Sequence, residues 1–263
     1  MDTATQPQFN YLAEGHGDPV VLVHGVGANL GSWDRVAERL KGNRRVIRPD
    51  LRGHGNSPPI RERYSVERFA EDIVAVMDRE GIREADLAGF SLGGMIAHCL
   101  AVNWPDRFRR IAILSAVAGR TEEEREKVTS RLALLRKDGI GAVTGAATDR
   151  WFTEEFARKH PEKIASRIEE LMANDLESYI EAYRVFGESE MAPRLHEITH
   201  PTLVLTGEFD IGSNTRMARF MHDTIPQSEL VILPELKHSI LVEASDLVAD
   251  HLIRFFGEPA RAS

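Results

Sequence analysis

The sequence predicts an α/β fold: a mostly parallel sheet with helices on both faces and one all-helical insertion. Short apolar runs bounded by glycine, proline or charge alternate with longer segments of helical periodicity. That alternation is the pattern of strands buried on both faces and joined through helices. Between residues 118 and 197 the strand pattern stops and only helical spacing is found.

The run at 19–23 (Pro-Val-Val-Leu-Val) is unbroken and flanked by glycines, as a buried parallel strand requires. Residues 45–48 form a shorter candidate, 86–89 lead into a glycine-rich turn, and 111–114, 202–206 and 230–233 complete the set. Ser65 precedes an apolar face of Val66, Phe69, Ala70, Ile73 and Met77, so it reads as the cap of an amphipathic helix. Ser245 reads as the cap of the last helix, whose apolar face would be Leu247, Val248, His251, Leu252 and Phe255. Within the insertion, Thr121 and Glu124 make a capping box before Val128, Leu132 and Leu135. Thr153 opens a second helix, and Ile164, Ile168, Leu171 and Met172 mark a third. The expected organisation is a core in two parts, 1–117 and 198–263, around an insertion at 118–197.

At 263 residues, 42% hydrophobic and 28% charged, the composition is that of an ordinary α/β domain. The net charge of −8 disfavours nucleic acid and anionic membrane surfaces as partners and says little about small substrates; oligomeric state has no sequence signal. The one cysteine, Cys99, falls in a helical pattern and reads as a small buried hydrophobe. The opening hexapeptide Met1 to Gln6 has neither a basic region nor an apolar stretch, and no run reaches membrane-spanning length. A cytoplasmic location is the resulting expectation. Gly25 to Gly31 fails the dinucleotide pattern because Leu30 stands where the third glycine belongs. No His/Cys cluster has zinc-like spacing. No metal or cofactor is expected.

The chemistry concentrates on Gly89-Phe90-Ser91-Leu92-Gly93, between a strand and a helical pattern. A serine on so tight a turn exposes its hydroxyl at a strand end, and the glycines supply the room. A hydroxyl is a weak nucleophile unless a base takes its proton and an acid orients that base. Asp210 follows the strand at 202–206 and His238 follows that at 230–233, in the order Ser, Asp, His. Glu235, Asp223 and Asp246 are weaker candidates for the acid. His24, His54 and His98 are weaker for the base and read as structural. The loop His24-Gly25-Val26-Gly27 follows the strand at 19–23, so the amides of Val26 and Leu92 are the candidate oxyanion donors.

These stretches, with Asp50-Leu51-Arg52-Gly53-His54-Gly55-Asn56-Ser57, resemble the α/β-hydrolase superfamily in order and content. The resemblance implies a Ser91–His238–Asp210 triad and makes the insertion a cap. Family members often begin with a two-strand hairpin, but only residues 8–12 are available for it, so one edge strand should be short or absent. Within the superfamily the chain is most similar to 3-oxoadipate enol-lactonases and nearby esterases, because Arg150-Trp151-Phe152-Thr153 resembles a motif of their caps. The His24-Gly25 pair departs from many of them. The similarity implies a serine hydrolase of small carboxylic esters or enol-lactones acting through an acyl-enzyme, with Trp151 as a substrate contact. A C–C bond or amide hydrolase on the same triad, and a low-turnover ligand receptor, are the alternatives. Of the cap aromatics Trp151, Phe152, Phe156, Tyr179, Tyr183 and Phe186, some could line a pocket. Arg131, Arg150 and Arg184 are expected on the solvated surface. A cation facing Ser91 would instead favour an acidic substrate.

Overall fold

A computed structural model describes residues 8–257; the opening hexapeptide lies outside them. Seven strands form one sheet: β1 (Tyr11–Glu14), β2 (Asp18–Val23), β3 (Arg44–Pro49), β4 (Ala85–Phe90), β5 (Phe108–Leu114), β6 (Thr202–Gly207) and β7 (Ser228–Leu233). Their order is β1-β3-β2-β4-β5-β6-β7, parallel throughout except for β1, which runs antiparallel to β3. All six strands read from the sequence are present, and β1 is a short edge strand of four residues.

The chain steps outward from β2 to β3, then returns to the other side of β2 with β4. Strand order therefore reverses between β2 and β4. The carboxyl ends of these two strands border the crevice where open α/β sheets bind ligands.

Alternation along the strands sends side chains to both faces. Val21, Val23, Leu87, Ile111, Ile113 and Val204 pack under α2 (Val66–Arg79), α3 (Leu92–Asn103) and α9 (Thr215–Thr224). Val20, Leu22, Ala88, Leu114 and Leu205 pack under α1 (Asp34–Leu40) and α11 (Ser245–Phe256), the latter preceded by the single turn α10 (Ile240–Glu243). The Ser65 hydroxyl accepts the Arg68 N–H and caps α2. Ser245 does not cap α11. It is already the first helical residue, because α10 ends two residues earlier and Ala244 takes the cap position with no side-chain bond. The buried stripe of α11 is Val248, Ala249, Leu252 and Phe256, rotated from the expected one, and Leu247 is 42% exposed.

Five helices lie between β5 and β6, with no strand among the described residues there: α4 (Glu122–Asp138), α5 (Gly141–Trp151), α6 (Glu154–Lys159), α7 (Pro161–Met172) and α8 (Leu176–Glu188). The Thr121 capping box forms in both directions, and Thr153 caps α6. In α7, Ile164 and Leu171 are buried but Met172 is half exposed. Leu132, Leu135, Ile140, Val143, Leu171 and Tyr179 give the insertion a small apolar cluster of its own.

A buried ion pair braces the opposite, amino-terminal end of the strands. Arg44 Nη1 lies 2.8 Å from Asp86 Oδ2, with both side chains almost wholly buried, and Arg44 Nη2 donates to the carbonyls of Phe256 and Gly257. Removing one partner of such a pair strands the other charge, at a cost of about 3–5 kcal/mol. Arg44→Met should therefore lower the unfolding free energy from urea titration by that amount while leaving activity per folded molecule unchanged, since the pair sits at the amino ends of β3 and β4. A loss under about 1 kcal/mol would mean that Asp86 is adequately held by Arg109 and Arg110.

Candidate active site

Ser91 stands between β4 and α3 with φ 56° and ψ −114°. A residue bearing a side chain adopts such a conformation at a cost of about 1–3 kcal/mol, so the surroundings must hold it there. Close approach does so. A Cβ on Gly89 would lie 2.0 Å from the Gly93 carbonyl oxygen, and one on Gly93 only 2.2 Å from that of Val23. Gly94 brings α3 against Ala116 in the same way. The Ser91 N–H donates to Leu114 O, while its own carbonyl accepts the N–H groups of Gly94 and Met95.

The loop after β2 presses on this turn. A Cβ on Gly25 would come 3.1 Å from Ser91 Cβ. His24 fixes the loop: its Nδ1–H donates to Gly25 O at 2.8 Å, which leaves Nε2 to accept the Leu51 N–H at 3.0 Å. Burial, reinforced by neighbouring His54, pushes the His24 pKa down to about 3. His54 donates Nδ1–H to Arg52 O, and burial lowers its pKa to about 4. Both histidines shape loops. Arg52 in turn forks onto the Asp72 carboxylate at 2.6 and 2.7 Å. Val26 lines the cavity above Ser91, whereas the Leu92 side chain points into the core. Leu92 N–H, at the first position of α3, has no intrahelical acceptor. Among the described residues no protein group accepts the N–H of Val26.

Asp210 lies in the turn after β6. Its Oδ1 accepts the N–H groups of Gly212 and Ser213, both at 2.9 Å, and its Oδ2 accepts Nδ1–H of His238 at 2.6 Å. Burial works to raise the Asp210 pKa, but the charge and hydrogen bond of His238 and the two amides prevail and hold the carboxyl below its ordinary range. Because Nδ1 of His238 is committed to Asp210, Nε2 is the nitrogen left for other chemistry. The His238 ring packs 5.0 Å from that of Phe90, next to Ser91.

Ser91, Asp210, His238, Val26 and Trp151 all border one cavity of about 590 Å³ between the strand ends and the insertion. Tyr179, Tyr183 and Phe186 border it too. Phe152 and Phe156 do not; they stack on each other at 5.7 Å outside it.

The arginines differ from expectation. Arg131 and Arg150 face the cavity rather than solvent. Arg131 Nε donates to Tyr183 Oη at 2.9 Å. Arg150 has no hydrogen bond or ion pair among the described residues, and burial, then the charge of Arg131, lowers its pKa. Arg184 lies elsewhere, paired with Glu181 and Glu188. Arg167, which sequence reasoning missed, reaches in over the Trp151 ring at 5.1 Å and is tied to Gly27 O and Glu170. A signal for Arg131 existed: it falls three residues after Val128 and four before Leu135, on the inward stripe of α4. Among the described residues two carboxylates border the cavity, Glu170 and Asp210, and both are already bonded within the protein.

With this geometry in hand, residues 18–181 match the family model described as alpha/beta hydrolase fold. The chain belongs to the α/β-hydrolase family. It is 28% identical over 243 residues to 3-oxoadipate enol-lactonase 2 of Acinetobacter baylyi, covering 92% of this chain and 90% of that protein. It is 29% identical over 243 residues to the (E)-2-((N-methylformamido)methylene)succinate hydrolase of the same organism, covering 91% and 90%. Among solved structures, the enol-lactonase of Burkholderia xenovorans LB400 aligns with a TM-score of 0.90 at 25% identity, covering 96% of this chain and 97% of that one. A malate-bound thermophilic esterase of Thermogutta terrifontis aligns at 0.88 with 28% identity, covering 97% and 95%.

His98 takes no part in this site. It is fully buried in α3, neither ring nitrogen has a partner, and burial lowers its pKa to about 4. The unfolded chain binds a proton on this group near pH 6.5 and the folded chain does not, so it drains stability as pH falls from about 6.5 to about 4. His98→Leu should leave stability at pH 7 unchanged or raise it by about 1 kcal/mol. Thermal melts across that pH range should show a shallower acid loss than the parent. A steeper loss would show that the imidazole is satisfied in solution.

Proposed function

We propose that the protein hydrolyses a small carboxylic ester or lactone that itself carries a carboxylate. Ser91 Oγ attacks the carbonyl as His238 Nε2 takes its proton, and Asp210 holds the histidine tautomer and the imidazolium that forms. The amides of Val26 and Leu92 receive the oxyanion, each such donor typically contributing about 2.7–4 kcal/mol. His238 returns the proton to the leaving alkoxide, and water, activated by the same base, releases the acid from Ser91. The insertion at 118–197 acts as the cap that selects the substrate.

The observation that carries the acidic substrate is the group of cationic side chains bordering the same cavity as Ser91. Arg150 has no anionic partner and Arg131 stands beside it, while neither cavity carboxylate is free to neutralise them. An anion from the substrate completes that arrangement, and a guanidinium matches a carboxylate in geometry as well as charge. The aromatic side chains of Trp151, Tyr179 and Tyr183 suit an apolar body between the anionic end and the reacting carbonyl. The similarity to an enol-lactonase, and to an esterase solved with malate, a dicarboxylate, points the same way.

Ser91→Ala should lower kcat for a p-nitrophenyl ester by a factor on the order of 10⁶ with the fold intact, and abolish labelling by a fluorophosphonate. Near-normal turnover by that variant would end the proposal. Arg150→Ala should lower kcat/KM for the p-nitrophenyl monoester of a short diacid by about 10- to 100-fold, the range of a hydrogen bond between charged groups. The neutral ester of equal length should change by less than about 2-fold, having no charge to lose. Equal losses on both esters would assign Arg150 to packing.

A further inference from the structure

We propose that Thr153 and Glu243 form a latch between insertion and core that positions His238, so that the insertion contributes to the acid–base machinery as well as to substrate selection; this rests on Ser91 and His238 acting as proposed above. Asp210 fixes one ring nitrogen of His238 but not the course of the backbone that carries it. That backbone is held from the insertion side. Lys237 Nζ donates to Asp149 O at 2.7 Å, and the Ser239 N–H donates to Trp151 O at 2.9 Å. The residues on either side of His238 are thus both bonded to the segment that carries Trp151 into the cavity.

One helical turn further on, α10 ends at Glu243. Its carboxylate accepts the Thr153 N–H at 3.0 Å on one oxygen and the Thr153 hydroxyl at 2.6 Å on the other. The same hydroxyl oxygen accepts the Phe156 N–H and starts α6. Glu243 makes no ion pair among the described residues, and burial raises its pKa against the Thr153 hydrogen bonds and the charge of Lys237. Its bonds go to a neutral residue of another structural layer, where a surface carboxylate would ordinarily find a cation or water. The two segments, Asp149 to Thr153 and Lys237 to Glu243, are therefore joined at both ends and in the middle, with Trp151 on one and His238 on the other. A shift of the α5–α6 junction moves the base with it. Displacements of such groups by a fraction of an ångström to an ångström cost rate steeply.

The test uses the whole chain and a small fluorophosphonate, which reacts through Ser91 and His238 without needing the cap's substrate contacts. Thr153→Val and Glu243→Ala should each slow labelling and lower kcat by about 10-fold. The double variant should be no slower than the worse single variant, because the two residues make one bond set. Thr153→Ser, which keeps the hydroxyl, should stay within about 2-fold of the parent. If Glu243→Ala does not fold, Glu243→Gln, which keeps one good acceptor, should show a smaller loss of the same kind. A fall in melting temperature with labelling and kcat unchanged per folded molecule would reduce the latch to a structural tie. A change in KM alone would assign it to Trp151. Failure of the unaltered protein to label at all would instead overturn the role of Ser91, a result distinct from either.

Discussion

The close approach of the β4–α3 turn to the end of β2 is the constraint on which the rest of the site depends. Backbone from two neighbouring strands meets where Gly89 and Gly93 have no side chains, and Ser91 between them is held at a positive φ. That contact brings the loop at His24 to Val26 against the serine, at the point where strand order reverses. The strain at one residue is small beside the packing of a helix whose residues from Leu92 to Ala101 are all buried. A side chain added at Gly93 would push β2 and α3 apart and disturb the loop from His24 to Val26 and the serine turn together.

Charge is arranged around this rigid point with an opposite logic on each side. Toward the core, Asp210 is buried, yet His238 and two amides hold its carboxyl below the ordinary range, so a carboxylate is fixed against the histidine ring. Toward the insertion, guanidinium groups face the cavity with too few carboxylates to match them, in a chain whose overall charge is −8. Partial burial strengthens the field of those cations and makes an anionic ligand worth more than it would be at the surface.

Legibility followed the strength of local rules. The six longer strands read correctly because buried parallel strands are continuous apolar runs. Thr121, Thr153 and Ser65 read correctly because a cap is a bond between residues three apart. Ser245 misled because a preceding helical turn, invisible as a pattern, occupied the cap position. Helix α5 is not legible because Gly141 and Gly145 weaken its signal, whereas Asp175, which accepts the Ser178 N–H, is a readable start for α8. Ser91, Asp210 and His238 were found because each stands just past a strand end, which the order of motifs locates. The arginines that share their cavity are not legible in this way, since Arg131 and Arg150 lie on different helices and the packing of α4 against α5 and α8 turns them inward.

The central claim is a covalent acyl intermediate on Ser91 drawn from an acidic substrate. Rapid acid quench during turnover of a p-nitrophenyl monoester of a short diacid, followed by peptide mass spectrometry, tests it most directly. The account predicts an adduct of the diacid's acyl mass on the peptide containing Ser91, with p-nitrophenol released in a burst matching the enzyme concentration. Steady turnover with no adduct at any quench time, or an adduct on a different residue, would contradict it.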